Sequence, residues 1–498
     1  MDILETLIFA ALSLIFVLFL LDAKRPYKYP PGPSWLPIIG NYFLFKSLKD
    51  KHRLTILVWE KLKEYYGPLL GVRLGKDRIV IVSGKELVRE LLTKEELEGR
   101  PDGFIFRLRA FGEKLGVVFT DGAFGFEQRK FFLKHVRELG FGRSVMEDNI
   151  TKETTQFISL LNKKFMEGPV SFPKTVEIFI VNNLWRMLAG KRFSETDRKL
   201  DHLLSLIHEA FKLQDMSGGL LNQMPFIRFI APEKSTYNRA VKIIRGLLDF
   251  IKETVEEHKK TFSPTRIRDF IDAFLLEMQN CKDDPHSSFT EKQLLVLLMD
   301  MIMAGSDSTT NALTFAIIYM INYPYIQRHI QAEMDAVVGR DRCPTLQDRP
   351  KLPYTDATLM EVLRVSNIGA TTVAHRAKKD FFVNDYIIPK NSIVLFNLYS
   401  VHMDKQEWGD PEIFRPERFL DERGNLVLKE SLIPFSLGRR RCLGETLSRP
   451  TLFLFLTSLL HNFVIESPQG LPPPSMEPID GAILSAIPFQ CVLIPRGK

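Results

Sequence analysis

The residue whose surroundings point most clearly to chemistry is Cys442, one of four cysteines in the chain. Arginines at 439–441 precede it, and a helical pattern runs from Gly444 toward Phe463. Cationic neighbours and a helix amino terminus both lower the pKa of a thiol, so the sequence predicts a thiolate here. Gly438 and Gly444 flank the segment and would let the backbone lie close to a flat group.

A lone thiolate at Cys442 has few possible uses. Zinc binding is disfavoured because no second cysteine or histidine stands at ligand spacing. A cysteine nucleophile needs an adjacent base, and the local sequence supplies none. Haem iron needs only one strong protein ligand, so an axial haem ligand fits. A buried inert cysteine is the common alternative, and the three arginines argue against it.

A second chemical feature is a polar patch at residues 305–311, inside a long apolar segment. Residues 294–303 and 312–321 are apolar except for Asp300, and together they predict a central helix of about 30 residues. A membrane span is excluded because burying so many polar groups in lipid is too costly. The patch is either a kink with satisfied hydroxyls or a groove suited to relaying protons.

Taken together, these motifs resemble the cytochrome P-450 superfamily, and specifically its microsomal animal class. The FxxGxRxCxG signature is matched by Phe435, Gly438, Arg440, Cys442 and Gly444. Residues 304–309 resemble the oxygen-activation motif, residues 361–364 match ExxR, and residues 414–419 match FxPERF. The motifs occur in the family's order, and the resemblance covers essentially the whole chain. It implies a mainly α fold with small β-sheets (α+β) behind an N-terminal transmembrane helix.

The resemblance implies that Cys442 is the proximal ligand of the iron of haem b. Asp307 and Ser308, with Thr309 beside them, stand at the catalytic acid and alcohol positions and would relay protons to bound oxygen. The family usually has threonine where this chain has Ser308, and serine lacks the methyl group that restrains the rotamer. We therefore expect oxygen activation to survive, with more leakage to peroxide.

Two further sets of residues follow from the resemblance. A buried structural charge triad on the proximal side would consist of Glu361, Arg364 and Arg418. The haem propionates would be bound by Arg100, Arg129, His375 and Arg440. The family's WxxxR motif has Gly125 in place of its tryptophan, so one donor to a propionate is missing. We expect somewhat weaker haem retention, and we expect Gly125→Trp to slow haem loss.

The substrate side, placed by family correspondence, has an apolar lining that suits a lipophilic small molecule. Its candidate residues are Phe104, Ile105, Phe106, Phe111, Met299, Met303, Ala304, Ile368, Val373, Ile483 and Leu484. Isoprenoids, steroids, fatty acids and foreign compounds all fit such a lining. Electrons would come from NADPH through a flavoprotein reductase, with cytochrome b5 as a further partner.

A basic stripe indicates where the reductase would dock. Arg129, Lys130, Lys134 and Arg137 lie largely on one helical face, and arginines flank the haem ligand at 439 and 441. A solvated basic surface is the alternative interpretation. The resemblance places an acidic reductase against this proximal face, and steering by opposite charge favours docking.

The element that begins the chain is an apolar segment. Residues 7–21 are apolar except for Ser13, and with Ile3 and Leu4 they would form a helix of about 27–30 Å. Acidic residues precede it and basic residues follow, which places the remaining body in the cytosol. A cleaved signal peptide has the reverse charge order. We predict an endoplasmic reticulum membrane anchor at 1–23, a basic proline-rich hinge at 24–34 and a single catalytic domain at 35–498.

Most of the body shows helical periodicity, with a few short strands between the helices. Residues 70–82 alternate around Gly75 and predict a hairpin. Ser83 would then cap a helix, with Glu86 as its capping-box partner. Further short strands are expected between Tyr386 and Asn397, broken at residues 389–390.

The composition of the 498-residue chain excludes several classes of protein. Its 45% hydrophobic and 26% charged residues rule out a wholly disordered or fibrous chain. The net charge of +7, from 67 basic and 60 acidic residues, is too dilute to indicate nucleic-acid binding. Four cysteines without a CxxC pair argue against a disulfide scaffold and favour a reducing compartment.

The leading hypothesis is a membrane-anchored haem-thiolate monooxygenase that hydroxylates or epoxidises a lipophilic molecule with one atom of O2. A haem-thiolate isomerase or dehydratase acting on a peroxide is the alternative enzyme, and the pair Asp307 and Ser308 argues against it. A non-catalytic haem- or lipid-binding protein is the third hypothesis, favoured only if the departures at Gly125 and Ser308 abolish turnover. Dependence on reductase and NADPH separates the two enzymes.

Overall fold

The structure is a computed structural model that describes residues 3–213 and 216–497. In the first half of the chain the helices are α1 Ile3–Ala23, α2 Tyr42–His52, α3 Thr55–Tyr66, α4 Lys85–Leu91, α5 Phe104–Leu108, α6 Gly122–Glu138, α7 Ser144–Lys164, α8 Phe172–Ala189, α9 Arg198–Leu213, α10 Gly219–Gln223, α11 Ile227–Ile230 and α12 Tyr237–Thr261. They continue with α13 Phe270–Asn280, α14 Glu291–Asn322, α15 Pro324–Val337, α16 Pro353–Ser366, α17 Tyr399–His402, α18 Lys405–Trp408 and α19 Glu445–Asn462.

The strands are short and form four small sheets in the described part of the chain. They are β1 Leu69–Leu74, β2 Asp77–Val82, β3 Val170–Ser171, β4 His375–Arg376, β5 Phe381–Val383, β6 Tyr386–Ile388, β7 Ile393–Phe396, β8 Phe463–Glu466, β9 Pro478–Ile479, β10 Ser485–Ala486 and β11 Gln490–Pro495. The predicted class, mainly α with small sheets, is confirmed.

Helix α1 is long and apolar enough to cross a membrane, and none of its described side chains is buried. Its 21 residues span about 32 Å at ~1.5 Å per residue, close to the thickness of a hydrocarbon core. The end of α1 is tied to the body, because Asp22 accepts from Ile38 N at 2.7 Å and from Arg73 at 2.9 Å.

Helix α14 runs through the centre of the fold for 32 residues and packs against α8, α12, α16 and α19. This confirms the predicted central helix. Its first turn is capped by Thr290, whose side chain accepts from Gln293 N. The polar patch remains helical: Ser306 and Ser308 each donate from Oγ to the carbonyl four residues earlier at 2.7 Å.

The largest sheet has the strand order β1-β2-β7-β4, with β2 and β7 parallel. The hairpin of β1 and β2 was predicted correctly, and so were the strands β6 and β7. The predicted capping box at Ser83 is wrong: α4 begins at Lys85, with Gly84 before it at φ 86°. Ser83 is buried at the end of the strand and its hydroxyl accepts from Asn397, so it is not available as a cap.

The main core surrounds α14 and contains much of the chain's phenylalanine. Phe157 lies at its centre and packs against the rings of Phe172, Phe179 and Phe455. Aromatic pairs at these separations add to the stability that burial provides. This rigid interior fixes α14 relative to the loop that precedes α19.

Candidate active site

The loop that carries Cys442 is closed by its own backbone. Cys442 N donates to Phe435 O at 2.9 Å, and a short 3-10 turn, Gly438–Arg440, lies between them. Gly438 has φ 72°, and a Cβ on it would lie 2.5 Å from Leu92 O. Gly444 lacks a side chain where a Cβ would come 3.8 Å from Cys442 Sγ. The two glycines thus allow the tight turn and keep the sulfur accessible.

The pKa of the Cys442 thiol is raised in the structure, whereas the sequence predicted a lowered pKa and a thiolate. The residue is accessible from one side, yet protein atoms enclose it elsewhere, and burial raises its pKa more than the backbone N–H groups of Gly444 and Glu445 lower it. The flanking arginines do not supply the missing charge: Arg439 and Arg441 lie in the surface and pair with Glu98 and Glu445. The predicted thiolate is therefore not produced by the arginines, and ionisation would follow from binding a metal ion.

Replacing Gly438 with alanine is expected to reduce both stability and haem content. A left-handed conformation costs an L-residue about 1–2 kcal/mol, and the close approach to Leu92 O adds to it. The matched control is Gly424→Ala, because Gly424 has φ 78° with nothing within 4 Å of its Cβ position. Urea unfolding and haem per protein should show a larger loss for Gly438→Ala; equal losses would contradict the role of the close approach.

Four cationic or donor side chains meet beside this loop. Burial and the neighbouring charges of Arg440 and Arg129 hold the pKa of Arg100 well below its usual range. Burial and Arg440 likewise lower the pKa of Arg129 to about 10. Burial and Arg100 lower that of His375, whose Nδ1 lies 2.8 Å from Leu97 O. Neighbouring positive charges lower one another's pKa because each disfavours the protonated form of the others. An anionic partner would offset this repulsion.

The hydrogen bonds of the cluster hold the side chains without neutralising them. Arg100 donates to Val373 O and Ala374 O, while its buried Nε has no partner. Arg440 donates to Glu98 O and Thr120 O, and Arg129 donates to Arg441 O. Among the described residues, no salt bridge involves Arg100, Arg129 or Arg440. These residues fit a group that brings two carboxylates, and haem b is such a group.

The packing around Gly125 in α6 argues against the expectation that Gly125→Trp slows haem loss. Gly125 is buried, and a Cβ on it would lie 3.0 Å from both the carbonyl carbon and oxygen of Thr120. That carbonyl accepts from Arg440 at 2.9 Å. A tryptophan here would push on the backbone that holds a propionate candidate, so we now expect Gly125→Trp to weaken haem binding.

The family resemblance places the middle of α14 on the distal side of the site. Ala304 is exposed although Ile302 and Ser306 beside it are fully buried, so this turn of the helix borders an open space. Ser308 and Met303 lie partly exposed on the same side, whereas Asp307 and Thr309 are buried. Of the three predicted catalytic residues, Ser308 is therefore the one whose side chain is partly exposed on this turn of α14.

Ser308→Ala is expected to lower the product formed per NADPH and to raise the peroxide released, because the hydroxyl beside the open turn is lost. The matched control is Ser306→Ala, which removes the same type of bond on the buried side of α14. Product and hydrogen peroxide, each measured per NADPH consumed, check this. A higher product yield in Ser308→Ala would contradict the relay.

The residues predicted to line the substrate pocket lie in several different parts of the fold. Ile368, Ile483 and Leu484 line one small cavity, and Leu484 N donates to Ile368 O at 2.9 Å. Phe104, Ile105 and Phe106 belong to a separate hydrophobic cluster with Leu221 and Ala240. The carbonyl oxygen of Val373 accepts a hydrogen bond from Arg100. Met299 is buried in the core. Phe111 is 42% exposed on a left-handed backbone.

Glu361 pairs with two arginines in a buried cluster. Its two carboxylate oxygens accept from Arg364 at 2.7 Å each, and Oε1 also accepts from Arg418 at 3.2 Å. Glu361 and Arg364 have no exposed surface. Arg364 also donates to the carbonyls of His402 and Pro411, which joins α16 to the segment before the loop of Cys442.

The basic stripe lines a surface groove next to Arg439. The groove is formed by Phe126, Arg129, Lys130, Leu133, Lys134, Arg137, Glu138, Arg143 and Arg439. Sequence reasoning missed Arg143, which lies outside α6. It also missed His208 and Glu177 beside Asp307, which come from different helices and have no motif to mark them.

The chain is similar to known proteins over nearly its whole length. The profile of the family described as Cytochrome P450 matches residues 30–492. A farnesoate epoxidase of Bombyx mori is 40% identical over 490 residues, which are 98% of each chain. Probable cytochrome P450 305a1 of Drosophila melanogaster is 36% identical over 99% of this chain and 100% of its own. Cytochrome P450 2J5 of Mus musculus is 34% identical over 99% of this chain and 96% of its own.

Proposed function

Because the chain belongs to the cytochrome P450 family and is a haem-thiolate monooxygenase, we propose that its substrate is a linear isoprenoid acid or ester, which it epoxidises. The observation that carries the substrate class is the 40% identity, over 98% of both chains, to a farnesoate epoxidase. The apolar candidates on the distal side suit a branched hydrocarbon chain.

We propose a division of work among the chain's residues. Cys442 would be the iron ligand, and Arg100, Arg129, His375 and Arg440 would hold the two propionates. Bound haem would supply the activation of dioxygen. Asp307 would hold each of the two protons that a turnover consumes in turn and pass it toward the Ser308 hydroxyl, with Thr309 next to them in α14. Phe435, Gly438 and Gly444 would shape the loop around the ligand.

Incubation of the full-length protein with farnesoate, NADPH and a purified flavoprotein reductase tests the substrate class. We expect a product heavier by one oxygen atom at a former double bond, formed only when NADPH and reductase are both present. A hydroxylated product, or preference for a steroid or a saturated fatty acid offered in the same mixture, would contradict the proposal. Conversion of a lipid peroxide without NADPH would instead favour the isomerase or dehydratase alternative.

The electron donor is proposed to bind the basic groove. Lys134 and Arg137 are exposed on α6, and Arg439 is 60% exposed beside the haem-ligand loop. The groove has five further basic or apolar side chains and one acidic side chain, Glu138. A positive surface of this kind attracts an acidic flavoprotein and accelerates its encounter. Cytochrome b5 is proposed to use the same surface.

Charge reversal in the groove, Lys134→Glu with Arg137→Glu, is expected to raise the reductase concentration needed for half-maximal turnover. It should also weaken the dependence of turnover on salt, because docking would no longer rest on opposite charges. The control is Lys242→Glu, an exposed lysine of α12 outside the groove. Unchanged reductase titration in the double variant would contradict docking at this face.

The chain is proposed to be anchored in the endoplasmic reticulum membrane with its catalytic domain in the cytosol. Residues 1–23 would form the anchor, residues 24–34 the hinge and residues 35–498 the catalytic domain. The apolar helix Ile3–Ala23 supports the anchor, and the basic residues that follow it support the cytosolic orientation. Protease protection of the amino terminus in sealed microsomes, with digestion of the body, is the expected result.

A further inference from the structure

Asp307 belongs to a cluster that extends away from the distal space. Helix α8 contributes Glu177 and helix α9 contributes His208, and both pack against this side of α14. His208 Nε2 lies 2.6 Å from Glu177 Oε1 and 3.4 Å from Asp307 Oδ1. One ring nitrogen therefore lies between two carboxylates that come from different helices.

The cluster connects the interior with the surface. The side chains of Glu177 and Asp307 are each 6% exposed, whereas that of His208 is 39% exposed. Within the cluster, His208 is the member that meets bulk water. At the inner end, Asp307 immediately precedes Ser308, whose hydroxyl lies on the open side of α14. The order from outside to inside is thus histidine, carboxylate, serine.

The surrounding charges suit proton transfer along this order. Burial raises the pKa of Asp307 to about 6; Glu177 adds to the rise, while His208, Lys212 and Asn311 oppose it. Contact with Glu177 raises the pKa of His208, helped by Asp307 and opposed by burial and Lys212. Asp307 therefore changes protonation close to the pH range where a proton relay works best, and the raised pKa of His208 favours the protonated form that can act as its donor.

We propose that Glu177 and His208 form the path by which protons from solvent reach Asp307 during oxygen activation. After a small rotation of the ring, protonated His208 gives its Nε2 proton to Asp307 Oδ1. The resulting carboxyl group passes a proton toward the Ser308 hydroxyl, and neutral His208 takes a new proton from water. Glu177 orients the ring and favours its charged form. Both residues act through Asp307, so they are positioning residues, and the inference rests on the proposed role of Asp307.

The test compares His208→Gln and Glu177→Gln with wild type and with His202→Gln, an exposed histidine of the same helix. In wild type, product formation should fall as pH rises through the pKa of His208, because the protonated donor is lost. His208→Gln should lose this pH dependence, with product formation lower by up to about 10²-fold, the lower end of what general acid catalysis contributes. Its solvent deuterium isotope effect on product formation should also increase.

A second readout does not depend on turnover. Carbon-13 labelling of histidine in the full-length, carbon monoxide-bound ferrous protein should show a His208 signal, identified by its loss in His208→Gln. That signal should titrate above an ordinary histidine, and it should titrate at lower pH in Glu177→Gln because the contact that raises the pKa of His208 is weakened. An ordinary titration of His208 that Glu177→Gln leaves unchanged would overturn the proposal.

A merely structural role is distinguished from a proton path by the same experiments. If His208→Gln lowers activity but keeps the wild-type pH profile and isotope effect, His208 only stabilises the helices and the proposal is wrong. Failure of the wild-type protein to oxidise any substrate with O2 would count against the role of Asp307 itself, and it would leave the histidine titration as an independent result.

Discussion

Cys442→Ser is expected to abolish thiolate ligation and to reduce product formation to the background rate. A serine hydroxyl ionises far less readily than a thiol and donates less electron density to a metal, so it cannot replace the sulfur. Burial already raises the pKa of the Cys442 thiol, which leaves still less chance for the less acidic hydroxyl. The reduced, carbon monoxide-bound protein should lose the long-wavelength Soret band that a thiolate ligand produces.

The control for this variant is Cys343→Ser, since Cys343 is also a free and exposed cysteine. Its spectrum and turnover should equal those of the wild-type protein. Retention of the long-wavelength band in Cys442→Ser would mean that another residue ligates the iron, and the assignment of the loop before α19 would be wrong.

Arg418→Ala is expected to destabilise the protein by about 3–5 kcal/mol, because it removes one partner from a buried ion pair. The Arg418 side chain is 4% exposed and pairs with the fully buried Glu361. It also donates to Trp408 O and pairs with Asp410, so its loss leaves several acceptors unpaired. Haem content and soluble yield should fall together, and the urea midpoint should move to lower concentration.

Arg415→Ala is the matched control, three residues earlier in the same motif. Its side chain is 47% exposed and pairs with Asp410, which is 41% exposed. A surface pair of this kind contributes about 0–1 kcal/mol. The backbone N–H of Arg415 still donates to Glu361 after the substitution. Equal stability and haem content in the two variants would contradict a structural role for the buried triad.

The sequence predicted the parts of the site that local spacing determines. The family resemblance implied the pairing of Glu361 with Arg364, and the structure forms this pair. The central helix depends on the apolar period of one continuous segment, and the structure contains it. The hairpin at β1 and β2 was equally local. Such features need only the dihedral preferences of glycine and the period of a helix or strand.

Other features depended on contacts between distant segments and could not be predicted this way. The pKa of Cys442 is raised chiefly by the protein atoms that enclose it. Of the three arginines before it in the sequence, Arg439 and Arg441 point to the surface, whereas Arg440 is buried and donates to Glu98 O and Thr120 O. Crowding of Gly125 by Thr120 reverses the expected effect of a tryptophan. His208 meets Asp307 only because α9 crosses α14, about a hundred residues further along the chain.

The claim that this protein is a monooxygenase is tested most directly by the origin of the oxygen atom in its product. Turnover of farnesoate under oxygen-18 gas, with NADPH and reductase in ordinary water, should place one labelled atom in each product molecule. The second atom should leave as labelled water. Product without label, or labelled product only when the water carries oxygen-18, would contradict the account.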